Sequence, residues 1–269
     1  MTNDAEHFLS LHRVGSPLLM PNPWDRGSAL LLQSLGFEAL ATTSSGFAAT
    51  LGRLDGMVTR EEAIAHAAEL ADAVEVPVSA DLENCFADDP AGVAQTVRLA
   101  IDAGLAGCSV EDFGGRESDT IYDAGLAAER VAAAAEAAHS GPARLVLTAR
   151  AENHVHGRHD LPDTIARLQS FQEAGADVLF APGVRELDEI RELVSAVDLP
   201  VNVLVLPGMP SVSELAEAGV SRISVGGAFA FAAFGAAAAA GRELLEQGTY
   251  GFWDAAAAGA TAAREAFGR

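Results

Sequence analysis

Short apolar runs alternate with longer segments of helical period along the whole chain, which is the pattern of βαβ units and a parallel sheet. Eight runs qualify as strands, at 17–20, 39–42, 76–80, 107–110, 144–149, 178–181, 201–204 and 222–225. Between them the apolar positions fall at helical spacing, as over 60–74, where Ile64, Ala67, Ala68, Ala71 and Val74 share one face. Asp88-Asp89-Pro90 marks a helix start before 91–103. Gly36, Gly104, Gly175 and Gly219 each sit where a helix must stop before the next strand. Eight such alternations without a G-x-G-x-x-G turn favour closure into an α/β barrel of the (β/α)8 type over an open doubly wound sheet. The 269 residues suit one barrel domain over 1–269. Helices from about 226 onward are additional to it.

Composition narrows the chemistry. The net charge of -21 repels a phosphate backbone, so nucleic acid is not an expected partner. All 17 basic residues are arginine, which excludes a lysine Schiff base and leaves a metal as the obvious electron sink for any carbon–carbon cleavage. Cys85 and Cys108 form no C-x-x-C pattern, and the acidic start leads into no apolar signal core; both fit a reducing cytoplasm. The Ala-rich run at 226–240 is short for a membrane span and is expected to be a buried barrel helix.

In a barrel, chemistry collects at the C-terminal ends of the strands. Those ends read Asn22-Pro23-Trp24-Asp25, Thr42 to Gly46, Asp81 to Asn84, Glu111-Asp112, Thr148 to Asn153, and Asn202. Asp81 and Glu83 alternate along an extended chain, so both are expected to point to one side about 6–7 Å apart, suiting one direct metal ligand and one held through water. With Glu111 from the next strand, the charge calls for a cation, and oxygen-only ligands select Mg2+ or Mn2+. Arg150, in an apolar strand, fits a substrate carboxylate, with an ion pair to Glu152 as the alternative. Ser44, Ser45 and Gly46 offer hydroxyl and N–H donors to a carboxylate or oxyanion, or form a plain turn. His154, His156 and His159 read as a solvated loop. Gly226-Gly227 reads as close packing ahead of a phosphate cradle.

These residues resemble the isocitrate lyase/phosphoenolpyruvate mutase superfamily from about Pro21 to about Gly227. The matching stretches are Ser44-Ser45-Gly46, Leu51-Gly52-x-x-Asp55, Asp81-x-Glu83, Val110-Glu111-Asp112, Ala149-Arg150-Ala151-Glu152, Ala174-Gly175-Ala176-Asp177 and Asn202. The resemblance implies Mg2+ bound directly at Asp81 and through waters by Asp55, Glu83 and Glu111. It implies that Ser45, Gly46 and Arg150 hold a 2-oxo acid, with Ser44, Asp81 and Asn202 also facing substrate and Arg150, Glu111 and Asp55 as the catalytic set. It also implies that the last helices pack on or swap with a neighbouring subunit of a homodimer or homotetramer. Two departures stand out. Glu83 replaces the family's usual Asp, and Phe113 to Asp119 replaces the Lys-x-Cys-Gly-His lid. The expected activity is a Mg2+-dependent C–C lyase acting next to a small 2-oxo acid or dicarboxylate through an enolate. The rivals are phosphoenolpyruvate mutase or phosphonopyruvate hydrolase chemistry at a P–C bond, and a non-catalytic binder of 2-oxo dicarboxylates.

Overall fold

Eight parallel strands line the interior: β1 (Leu18–Met20), β2 (Leu40–Ala41), β3 (Val78–Asp81), β4 (Gly107–Glu111), β5 (Val146–Arg150), β6 (Val178–Phe180), β7 (Val201–Leu204) and β8 (Arg222–Ser224). They pair in the order β1-β8-β7-β6-β5-β4-β3-β2. The Ala41 N–H donates to the Pro21 carbonyl at 3.1 Å, joining the two ends and closing a (β/α)8 barrel. The computed structural model describes residues 5–115, 120–141 and 143–268. All eight predicted strands are present, each within two residues of its expected start or end.

Helices α1 (Ala5–Ser10), α2 (Arg26–Ser34), α3 (Ser44–Thr50), α4 (Arg60–Ala73), α5 (Pro90–Asp102), α6 (Ala124–His139), α7 (Leu161–Glu173), α8 (Leu187–Ser195), α9 (Val212–Glu217), α10 (Ala228–Glu246) and α11 (Trp253–Phe267) complete the chain. Side-chain caps fix their starts. Asp89 accepts from the Gly92 N–H with Pro90 at the first helical position, and Thr59 and Glu62 form a reciprocal capping box at α4. Each such cap contributes about 1 kcal/mol. The helix-ending glycines Gly36, Gly104, Gly175 and Gly219 all have positive φ, which other residues adopt only with strain. On α4 the most buried positions are His66, Ala67 and Leu70, so the inward face is centred slightly off the predicted one.

The main core lies between the outer strand faces and the surrounding helices, from Ala67 and Val78 through Leu147 and Phe171 to Leu215 and Ile223. A second cluster closes the N-terminal mouth, where Phe8 and Leu11 pack under Ala39, Ala106, Val146 and Val178. Phe8 seats against Gly107, where a Cβ would fall 2.8 Å from its ring. The barrel is therefore plugged at one end and open at the other, so the site can only form at the strand C-termini.

The Ala-rich segment departs from expectation. Of α10 only Ala230 is buried, and Phe231 and Phe234 are about half exposed (52% and 48%). By length and composition α10 is a helix that could cross a membrane. The expected buried barrel helix is thus not found: only the start of α10 meets the barrel, where Ala230 abuts Gly46 on α3. Alanine-rich composition fits a helix covered by its own chain or left open equally well. The final helix α11 folds back onto α2, with Phe267 near Gly27.

Candidate active site

The site is built on the open end, and Arg150 at the end of β5 is its centre. Its guanidinium reaches Asp81 at 2.8 Å, Glu152 at 2.9 Å and Glu111 at 3.2 Å, and lies over the Phe180 ring. Strand register makes this convergence inevitable, because Glu111 is paired directly with Arg150 across β4 and β5 and Asp81 ends the neighbouring β3. Asp81 is held further by the Ser44 N–H at 3.1 Å, at the first turn of α3, while its own N–H donates to Thr42 Oγ1. The internal ion pair to Glu152, expected as the alternative for Arg150, is present. It does not exclude an incoming carboxylate, because one guanidinium is shared among three carboxyl groups, one of them, Glu111, pushed toward its neutral form by burial.

Glu83 does not follow the extended geometry expected of it. Strand β3 stops at Asp81, and Glu83, Cys85 and Phe86 all take left-handed φ values of 50–59°. The turn is stitched by Cys85 N–H to the Leu82 carbonyl and by Glu111 N–H to the Glu83 carbonyl. Asp81 and Glu83 are therefore not alternate positions of one strand, although both still face the site. Strained non-glycine backbone of this kind persists only where its surroundings enforce it.

Two cavities meet here and share Ser44, Asp55 and Arg150. The outer one, about 560 Å3, is lined by Asp55, Glu83, Glu111 and Glu152 together with Phe113 and His156. The inner one, about 200 Å3, runs into the barrel past Ser45, Asp81, Thr148, Asn202 and Arg222. Burial and the Asp81 and Asp55 charges push the Glu83 carboxyl up to about 8. Burial also raises Glu111 well above the usual carboxylate range, against the pull of Arg150. Asp55, at the rim, is raised by desolvation and by Asp81. The site is short of positive charge. Among the described residues no three His, Cys, Asp or Glu side chains come together as a direct metal cage. The donors are all oxygens around a roomy, negatively charged cavity, which fits a hard divalent cation that keeps most of its waters.

Several expected residues take other places. Asp112 points away, its carboxylate fixed by Arg167 at 3.0 Å and by the Glu152 N–H at 2.8 Å, so it positions β4 against β5 rather than lining the cavity. Gly46 lies behind the cavity wall, where a Cβ would come within 2.5 Å of Thr43 Cγ2; packing, not substrate, requires glycine there. Asn202 lines the inner cavity, but its amide is engaged by Ser224 Oγ and the Arg222 Nε–H. Gly226 and Gly227 border the same cavity as packing glycines: Asn22 Oδ1 accepts the Val225 and Gly226 N–H groups, and a Cβ on Gly227 would strike Ser45 Oγ. Of the altered lid, residues 116–119 lie outside the described residues, while Phe113 borders the outer cavity.

Two residues were missed. His156, read as part of a solvated loop, stacks on Phe113 at 3.7 Å with Nε2 3.9 Å from Glu152. Its spacing of four from Glu152 was visible in sequence, but nothing indicated that the loop folds back over the cavity. Arg222 hides inside β8; a charged residue opening an apolar strand was the available signal.

An acidic, arginine-centred pocket at the C-terminal end of a plugged (β/α)8 barrel lies where barrel enzymes place their chemistry. The family follows from comparison with known proteins. The phosphoenolpyruvate phosphomutase family model matches residues 8–245, and the chain belongs to that family, within the isocitrate lyase/PEP mutase superfamily of lyases and mutases. A solved structure from Burkholderia cenocepacia J2315, described as a candidate lyase/mutase, is 49% identical with a TM-score of 0.91, covering 94% of this chain and 92% of that one. The structure of a 2,3-dimethylmalate lyase is 26% identical with a TM-score of 0.84, covering 93% and 90%. The 2-methylisocitrate lyase of Escherichia coli K12 is 29% identical over 211 residues, 72% of this chain and 70% of that one.

Proposed function

We propose that the protein is a Mg2+-dependent lyase, with Mn2+ as a substitute, that breaks a carbon–carbon bond next to a small 2-oxo acid. Decarboxylation or cleavage of an oxaloacetate-type dicarboxylate is the simplest reaction of this kind. The observation that carries the reading is Arg150 shared among Asp81, Glu111 and Glu152, with Glu83 and Asp55 facing the same space. Asp81 would be the direct protein ligand of the cation, and Asp55, Glu83 and Glu111 would hold it through waters. When bound, such an ion supplies the positive charge that accommodates the electron pair released as an enolate.

The chain's own residues supply the remainder. A substrate carboxylate entering beside Arg150 exchanges one buried carboxylate partner for another, so the guanidinium fork is pre-set by Glu152 and Phe180. The Ser44 N–H fixes the orientation of Asp81, and Ser45 Oγ, 3.2 Å from Thr43 Oγ1, stands at the cavity wall as a donor. His156 Nε2 is placed to move a proton at the outer cavity, a role left open by the altered lid. With no lysine in the chain, an imine cannot take over the electron-sink role. The relatives named for 2-methylisocitrate, a branched tricarboxylate, and 2,3-dimethylmalate, a branched dicarboxylate, support a small substrate with two or three carboxylates.

Incubation of the purified protein and Mg2+ with a panel of 2-oxo acids, followed by proton NMR of the products, tests the reading. We expect loss of carbon dioxide or of a two- to four-carbon fragment from at least one dicarboxylate. The family model named for a phosphomutase favours P–C chemistry as the second reading. A new phosphorus signal from phosphonopyruvate, with no turnover of the carbon acids, would establish that one instead. Tight binding of a 2-oxo dicarboxylate without product would mark a binder.

A further inference from the structure

Barrel interiors are ordinarily filled by layers of branched apolar side chains. Here the inner cavity of about 200 Å3 is walled by Ser79, Ser109, Thr148, Asn202 and Ser224, and Arg222 forms part of its lining. Arg222 is 2% exposed. Its Nε–H donates to Asn202 Oδ1 at 3.0 Å and its Nη2 to Thr148 Oγ1 at 3.0 Å, while Nη1 lies 3.2 Å from His12 Nε2. All three partners are neutral. The His12 ring is held down to about 3 by burial and by the Arg222 charge, and its Nδ1 lies at 3.1 and 3.2 Å from the Phe8 and Leu9 carbonyls. A neutral ring that donates from Nδ1 must accept at Nε2, so the contact to Arg222 is a hydrogen bond and not an ion pair.

Among the described residues no carboxylate lies within ion-pair distance of Arg222. Its pKa is lowered to about 9 by burial and by repulsion from Arg150, and it is still a cation at neutral pH. A buried charge without a counter-charge is expensive, and the guanidinium has five N–H donors of which these contacts engage three. The cavity brings this cation and Arg150 to one space, which Asp55 and Asp81 also line.

We infer that the cavity floor at Arg222 is an anion subsite, separate from the carboxylates of the outer cavity, that accepts a carboxylate-sized anion from Arg222. The anion has two candidate sources, the far carboxylate of a dicarboxylate whose near end lies at Arg150, or a separate small ion. The first source rests on the lyase reading; the second does not.

Calorimetry of the full chain in chloride-free buffer, with malonate against acetate, is combined with bromide soaking and anomalous diffraction of wild-type crystals. If the substrate supplies the anion, malonate binds at least about tenfold more tightly than acetate, R222Q loses that preference, and R222K retains most of it. If a separate ion supplies it, bromide appears at Arg222 and malonate has no advantage. The subsite is overturned if wild-type crystals show no bromide at Arg222 and wild-type protein binds malonate no better than acetate. That outcome needs no variant, so a misfolded R222Q cannot obscure it. Loss of the lyase reading with Arg222-dependent binding intact would leave the subsite standing.

Discussion

Arg150 balances three carboxylates, so replacing it acts on binding and folding together. R150Q leaves Asp81, Glu111 and Glu152 without their shared counter-ion, and we expect 2-oxo acid binding to weaken by about 2–5 kcal/mol, read by calorimetry. His156 gives a cleaner test of proton transfer. H156Q should lower kcat by about 10²–10⁴-fold, with little change in KM. Glu83 gives a pH signature in the metal-free protein. Its folded pKa of about 8 exceeds the unfolded 4.5, so the native state holds the extra proton between those values and stability falls as pH rises through that window. His12 and His66, lowered to about 3 and about 4, act oppositely but only up to their unfolded value of 6.5. Between pH 7 and 8 the Tm of metal-free protein should therefore decline, and added Mg2+ should remove most of the decline. A Tm flat or rising over that interval would contradict the assignment of Glu83.

At the scale of elements, α1 matters beyond its six residues because Phe8 plugs the barrel against Gly107. F8A should cost about 3–5 kcal/mol in chemical denaturation, as a large cavity opens under β4 and β5. Strand positions were legible because the outward strand positions are apolar and pack beneath the surrounding helices, and glycine stops between αβ units are required by left-handed φ. The carboxylate cluster was legible because residues at adjacent strand ends must meet. The departures arose where geometry is set by contacts distant in sequence. Glu83 turns where the Glu111 N–H on β4 holds its carbonyl, and Asp112 faces outward because Arg167 captures it from α7. Neither partner is signalled locally. The same holds for Arg222, whose companions Thr148, Asn202 and His12 come from three separate segments.

For the whole molecule, the exposed aromatics of α10 are the main unbalanced feature. Phe229, Phe231 and Phe234 leave apolar surface on α10 that the chain's own barrel does not cover. We expect a homo-oligomer with α10 at its interface to bury this surface, in which case light scattering returns a multiple of 27.7 kDa. F231E/F234E should shift that mass toward the monomer while leaving the far-UV spectrum helical. The barrel, the acidic site and the absence of lysine together make a bound divalent cation the central requirement of the account. Its most direct test is the turnover of an oxaloacetate-type 2-oxo acid by protein stripped with a chelator and then reloaded. Stripping should lower kcat by at least about a hundredfold, and Mg2+ or Mn2+ should restore it. Equal turnover by stripped and Mg2+-loaded protein would contradict the cation requirement.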